Sequence, residues 1–316
     1  MPLTRRTLLA LMSAAALPLP LRAAEGPTVV ATTGMIADAA RIVGGGTVRA
    51  LMGPGMDPHG YRQTRSDIVA MARADLVLWH GLYLEAQMED FLLDLSRQRK
   101  VVAVAEALPK ELLRGNPDYP DRFDPHVWMA PELWSLAVAE IARALSDVAP
   151  ERAGDHATRA ESFQAEIAAL QAYAQEVLAT VPPEARVLVT AHDAFGYFGA
   201  AYGFEVQGIQ GLSTESEAGL ARIGQLVDML VERQVQAVFV ESSVSDRSMR
   251  ALIEGAAAKG HEVRIGGQLY SDAMGADGSY EGTYLGMIDH NVTLIAGALG
   301  GRVPERGRLG KLMVQA

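Results

Sequence analysis

Short apolar runs rich in β-branched residues punctuate the first third of the chain. Thr28–Thr32 (TVVAT), Thr47–Met52 (TVRALM), Asp75–Trp79 (DLVLW) and Lys100–Ala105 (KVVAVA) are such runs. Between them, apolar positions recur at helical spacing, as in Ile36–Ile42 and Ser66–Ala74. Strand and helix patterns alternating in this way predict a parallel β-sheet covered by helices. A second series begins at Arg186–Thr190 (RVLVT) and continues through Phe204–Gly208, Ala237–Glu241 (AVFVE) and Glu262–Gly266. Its clearest helix is Glu217–Glu232, where Leu220, Ile223, Leu226, Val227 and Leu230 form one stripe.

The segment joining the two series has a different pattern. Phe163, Ile167, Leu170, Ala174 and Val177 mark the stripe of a long amphipathic helix, with no glycine after Gly154 and no proline before Pro182. A helix from about His156 to Val181 would be about 40 Å long and would act as a rigid strut, where a flexible linker would be rich in Gly or Ser. The expected class is therefore α/β: two lobes, each with a parallel sheet covered by helices, joined by one long rigid helix. The boundaries fall at 25–150 for the first lobe, 151–182 for the connecting helix and 183–300 for the second lobe. Residues 301–316 form a polar tail whose order the sequence leaves open.

Composition narrows the class. The 316 residues are 49% hydrophobic and 21% charged, enough for sizeable cores in about two domains. A formal charge of −10 argues against a nucleic-acid-binding surface. Residues 1–24 have a basic start, an apolar run from Leu8 to Leu17 and an Ala-rich end, the layout of an export signal. Cleavage is expected near Ala23 or Ala24, which would remove three arginines and leave a charge of about −13. Thr4-Arg5-Arg6-Thr7-Leu8-Leu9 fits the twin-arginine route and also an ordinary secretory signal. The run is short and interrupted by Pro18 and Pro20, which argues against a membrane anchor. The expected location is the periplasm. The chain contains no cysteine, so disulfides, a lipid-anchoring cysteine and thiolate metal sites are not expected, and any metal must bind His, Asp or Glu.

That constraint directs attention to a repeated tripeptide. Asp-Pro-His occurs in DPHGY (57–61) and again in DPHVW (124–128). In open α/β sheets, ligands bind beyond the carboxyl ends of the strands. His59 follows the strand ending near Met52, and His126 lies in the long loop after Lys100–Ala105. His192 comes directly after Arg186–Thr190, and Asp272 follows the strand ending near Gly266. Three imidazoles and one carboxylate make a complete set for a divalent transition metal. Asp57 and Asp124 can bond within their turns or orient the histidine rings. Asp193 is expected to cap a helix starting at Ala194. For Glu241 a capping role stands slightly ahead of one behind the histidines. His80, at another strand end, is the reserve candidate; His156 and His261 are expected to be solvated and His290 structural. Trp79, Trp128 and Trp134 are expected in the core. The Gly-Pro-Gly at 53–55 is a turn, with no phosphate-loop context.

These motifs, taken together, resemble the periplasmic solute-binding proteins of zinc and manganese ABC transporters, the ZnuA/TroA type. The matching stretches are TTGMIADAARIVGG (32–45), LMGPGMDPHGY (51–61), ADLVLWHGLYLE (74–85) and FDPHVWMAPELW (123–134). They continue with VLVTAHDAFGYFGAAYG (187–203), GLSTESEAGL (211–220), VFVESSVSDR (238–247), LYSDAMG (269–275) and EGTYLGMIDHN (281–291). The resemblance implies two lobes bridged by one helix, with the metal held between them by His59, His126, His192 and Asp272. It implies a monomeric receptor that is not an enzyme, passing Zn2+ or Mn2+ as cargo to a membrane permease driven by a cytoplasmic ATPase. Gly60 departs from the larger residue usual in the family. The segment from His59 to His126 lacks the long His- and acid-rich insertion of dedicated zinc importers. That leans toward the TroA-like branch, associated with manganese, zinc or iron. The alternative from another class is an exported zinc-dependent metallohydrolase, disfavoured because a fourth protein ligand closes the water position and no general base adjoins the histidines. A surface adhesin would leave the four strand-end ligands unexplained.

Overall fold

Four strands in the first lobe, β1 (Val29–Ala31), β2 (Val48–Ala50), β3 (Leu76–Trp79) and β4 (Val101–Ala103), pair in parallel in the order β2-β1-β3-β4. The computed structural model describes residues 26–116 and 119–313, so the leader expected over 1–24 lies outside the described residues. Helices α1 (Gly34–Gly44), α2 (Arg65–Arg73) and α3 (Glu89–Ser96) connect these strands. In the second lobe, β5 (Val187–Thr190) pairs in parallel with β6 (Glu205–Gly208), and β7 (Ala237–Glu241) with β8 (Arg264–Leu269), while β7 runs beside β5. The remaining helices are α4 (Pro131–Val148), α5 (Ala153–Leu178), α6 (Gly196–Tyr202), α7 (Leu220–Glu232), α8 (Arg247–Ala258) and α9 (Tyr284–Ala298).

The long connector is present as α5, a helix of 26 residues and about 39 Å. Its predicted stripe is buried against α1 and α4 on the first-lobe side and α9 on the second. One apolar core therefore runs without a break from β1 and α1 through α4 and α5 to Phe198, Phe239 and Ile288 of the second lobe. Smaller cores lie under α2 and α3, and under α7 and α8.

Several expectations need correction. His156 is fully buried, its Nδ1 3.2 Å from Ser146 Oγ, because it is the first member of the α5 stripe, four residues before buried Ala160. His261 is half-buried, its Nε2 2.7 Å from the Val235 carbonyl oxygen. Leu220 is 87% exposed: it opens α7, one turn ahead of the surface that the helix buries. The closing segment, whose order the sequence leaves open, is docked over its described residues. The Arg308 amide donates to the Asp289 carboxylate at 2.9 Å, the Met313 amide donates to Glu281 Oε1 at 2.7 Å, and Leu312 is buried.

Candidate metal centre

The two Asp-Pro-His steps are the same turn built twice. After β2 the chain passes through Gly55, at φ +72, and Asp57 Oδ1 accepts the His59 amide at 2.9 Å. Asp124 Oδ1 accepts the His126 amide, also at 2.9 Å. An aspartate that bonds the backbone two residues on closes a compact turn, and proline between them pre-sets the backbone. Each histidine is thereby fixed within the loop that carries it. Tyr61, next after Gly60, donates its hydroxyl to Asp67 Oδ2 at 2.8 Å, and Asp67 forms the capping box of α2 with Thr64. The turn carrying His59 is thus tied to a helix start.

The rings are oriented from behind. His126 Nδ1 lies 2.7 Å from Asp124 Oδ1, and His192 Nδ1 lies 2.6 Å from Glu241 Oε2. Glu241 Oε1 also accepts the His192 amide at 2.9 Å. A carboxylate can only accept, so each Nδ1 carries the proton and each neutral ring offers its Nε2 lone pair. Glu241 thus orients a site ring; the capping role placed ahead of it is not observed. Its place at the end of β7, beside β5, brings it under His192. Asp193 does not cap either: α6 begins at Gly196, preceded by Phe195 with no side-chain cap.

The four candidate side chains converge. His59, His126, His192 and Asp272 are all buried, and each offers a ligand atom within 4.8 Å of the others. His126 Nε2 lies 3.3 Å from both His59 Nε2 and His192 Nε2. Asp272 Oδ2 lies 3.2 Å from His192 Nε2, and Oδ1 lies 3.5 Å from His126 Nε2. While His192 Nε2 is unprotonated, neither Asp272 oxygen has a hydrogen-bond donor among the described residues. Lone pairs facing one another out of water repel, and a buried carboxylate without a partner is costly. A cation at the centre removes both penalties. Two nitrogens 3.3 Å apart share a centre about 2.0 Å from each at the tetrahedral angle, the Zn–N bond length. At a right angle the centre lies about 2.3 Å away, suiting a larger ion with more ligands, and a bidentate Asp272 supplies one.

Without a cation, a proton is the nearest substitute. Burial pulls the His192 pKa down, but Asp272 and Glu241 outweigh it and hold the ring well above the ordinary histidine value. Burial likewise pushes Asp272 up, yet His192, followed by His59 and His126, holds it below the usual carboxylate range. His59 goes the other way: burial lowers it to about 3, against the pull of Asp272.

Residues 29–298 match the family described as ZnuA, the periplasmic zinc-uptake complex component A. The chain belongs to this family. It is 50% identical over 273 residues to the manganese-binding lipoprotein MntA of Bacillus subtilis, covering 86% of this chain and 89% of that one. It is 44% identical over 280 residues to the zinc-binding protein TroA of Treponema pallidum, covering 88% and 90%. The solved structure of that TroA superposes with a TM-score of 0.84 over 87% of this chain and 99% of its own. The iron-binding protein YfeA of Yersinia pestis is 30% identical over 274 residues, 86% of each chain. The α/β architecture with parallel sheets is that of the ZnuA family, whose members are receptors of ABC transporters rather than enzymes.

The other candidates fall outside the cluster. His80 is buried nearby but points its Nε2 at the Pro125 carbonyl oxygen, 2.6 Å away. His290 is bonded to the Gln268 carbonyl oxygen and packs on Tyr270. Trp79, Trp128 and Trp134 are in the core as expected, although Trp128 also touches the His126 ring edge-on at 5.3 Å. Sequence reasoning missed Thr214, whose hydroxyl crosses the cleft to Asp57 Oδ2 at 2.5 Å. The stretch GLSTESEAGL carried no sign of which lobe it faces.

Proposed function

We propose that this protein is the substrate-binding receptor of a metal ABC importer, holding one divalent transition metal ion between its lobes with His59, His126, His192 and Asp272. The observation that carries this reading is the buried meeting of three ring nitrogens and a carboxylate whose nearest polar neighbours are those rings. Mn2+ and Zn2+ are the cargo, in keeping with MntA and TroA, and Fe2+ falls within the same donor set, in keeping with YfeA. The receptor works as a monomer, delivering the ion to a membrane permease powered by a cytoplasmic ATPase. The metallohydrolase alternative finds no support, since the relatives are named as metal-binding proteins and four buried side chains are available as ligands.

Export agrees with the family, whose members are periplasmic or exported lipoproteins. The expectation of no lipid anchor finds no support among the relatives, several of which are lipoproteins. The 316 residues themselves contain no cysteine to carry a thioether-linked lipid. Mass spectrometry of the mature N-terminus separates a lipidated from a free chain. The functional test is metal analysis of protein taken from its native compartment, followed by calorimetry on metal-free His192→Ala. Loss of binding is expected, and wild-type affinity in that variant would remove the constellation.

A further inference from the structure

His80 is a fully buried histidine that the four-ligand site leaves unused. It sits at the end of β3, and the chain then makes three consecutive left-handed residues: Gly81 at φ +83, Leu82 at +52 and Tyr83 at +69. Two of these are not glycine, so the turn is strained and must be held by its surroundings. Glu85 holds it: its Oε1 accepts the His80 amide at 2.7 Å and the Thr32 hydroxyl at 2.6 Å, and its Oε2 accepts the Gly81 amide at 3.2 Å. The strained turn delivers one side chain inward. His80 Nε2–H donates to the Pro125 carbonyl at 2.6 Å, one residue before His126. The same ring packs edge-on against Trp128, with centroids 4.9 Å apart. Trp128 Nε1–H in turn donates to the Ser271 carbonyl at 2.8 Å, one residue before Asp272. Tyr284 steadies Trp128 by donating its hydroxyl to the Trp128 carbonyl at 2.9 Å.

We propose that His80 and Trp128 are positioning residues, forming a bracket across the two lobes that sets the spacing between His126 and Asp272. This rests on the reading of those two residues as metal ligands. His80 fixes the backbone of one ligand loop, Trp128 fixes that of the other, and the contact between their rings makes the two constraints one. A metal with short bonds and a metal with longer bonds require different spacings, so the bracket tunes affinity and the preference between ions.

The test compares metal-free full-length wild type with His80→Met, His80→Gln, Trp128→Phe and His126→Ala. Dissociation constants for Mn2+ and Zn2+ are measured by chelator competition, and bound Co2+ reports ligand geometry through its visible absorption. Glutamine keeps an N–H donor at about the reach of His80 Nε2, and methionine has the same shape without the donor. His80→Met should weaken binding by roughly tenfold to a hundredfold, the usual effect of losing a supporting partner, and should alter the Co2+ spectrum. His80→Gln should restore both toward wild type. If His80→Met fails to fold, Trp128→Phe carries the test, because it keeps an aromatic face beside His80 and removes the N–H that bonds Ser271. A lower melting temperature with unchanged affinity and spectrum would mean ordinary core packing and would overturn the bracket. Wild-type binding by His126→Ala would show instead that the ligand reading itself had failed, and the bracket with it.

Discussion

At the scale of single residues, protons and metal compete for the same lone pairs. The metal-free His192 ring holds a proton well above the ordinary histidine range, while burial keeps His59 neutral down to about pH 3. Binding near neutral pH should therefore expel about one proton, from His192 and not from His59. Calorimetry in buffers of different ionisation enthalpy measures that number, and a value near zero would contradict the assignment. Glu241→Gln should weaken binding roughly tenfold to a hundredfold while leaving the fold intact, because an amide no longer dictates which His192 nitrogen carries the proton. Chelator competition on the purified variant checks this. The sequence made the four proposed ligands legible because His192 and Asp272 closely follow strands, while His59 and His126 share a turn that advertises itself as Asp-Pro-His. Glu241 was harder to place: its contact with His192 spans 49 positions and exists only because β7 lies beside β5.

At the scale of elements, the apolar runs located all eight strands, and the helical periods three of the helices, to within a few residues, while helices such as Glu89–Ser96 and Pro131–Val148 have no predicted range. The largest shift is at β8, expected over 262–266 and found at Arg264–Leu269. Gly266 and Gly267 hide the strand in the sequence, yet a Cβ on Gly266 would meet the Phe239 ring at 2.7 Å, and one on Gly267 would meet Leu294 at 2.7 Å. The pairing with β7 also shifts register between Val238 and Phe239. The α5 stripe was legible over five positions, and its extension to His156 was lost because histidine is not among the residue types that mark a buried stripe. His156 has a lowered pKa, through burial first and then through Arg152 and Arg159. The unfolded chain thus binds more protons than the folded one below about pH 6.5, so this group's contribution to stability is present above that pH and is lost as pH falls. His156→Leu fills similar space and removes an Nε2 that has no partner among the described residues. Denaturant unfolding should show wild type losing more stability than the variant between about pH 7.5 and 5.5. Equal losses would mean that His156 does not titrate on unfolding.

At the scale of the whole molecule, the site exists only when both lobes are folded and apposed. Metal should therefore raise the melting temperature, with a gain of about 4 kcal/mol at a thousandfold excess over the dissociation constant. Identical melting curves with chelator and with metal would exclude a site shared between the lobes. The same architecture limits how the ion is released. Hinge closure through large angles needs a connector that bends, and α5 has no proline and no glycine after Gly154 in its second position. Bending it would break backbone hydrogen bonds and open the continuous core that α5 shares with α1, α4 and α9. Direct ties also cross the cleft, from Tyr284 to Asp38, Trp128 to Ser271 and Thr214 to Asp57. The first two are buried and the last lies at the rim, in a loop without regular structure. Release is thus expected through local movement of the ligand loops around His126, His192 and Asp272, with only a small rotation of whole lobes. Spin labels on α2 and α8, one per lobe and far from the ligands, should change separation by no more than a few ångströms when metal is removed. An opening of about ten ångströms or more, the scale of hinge-bending receptors, would refute the rigid strut even with all four ligands correct.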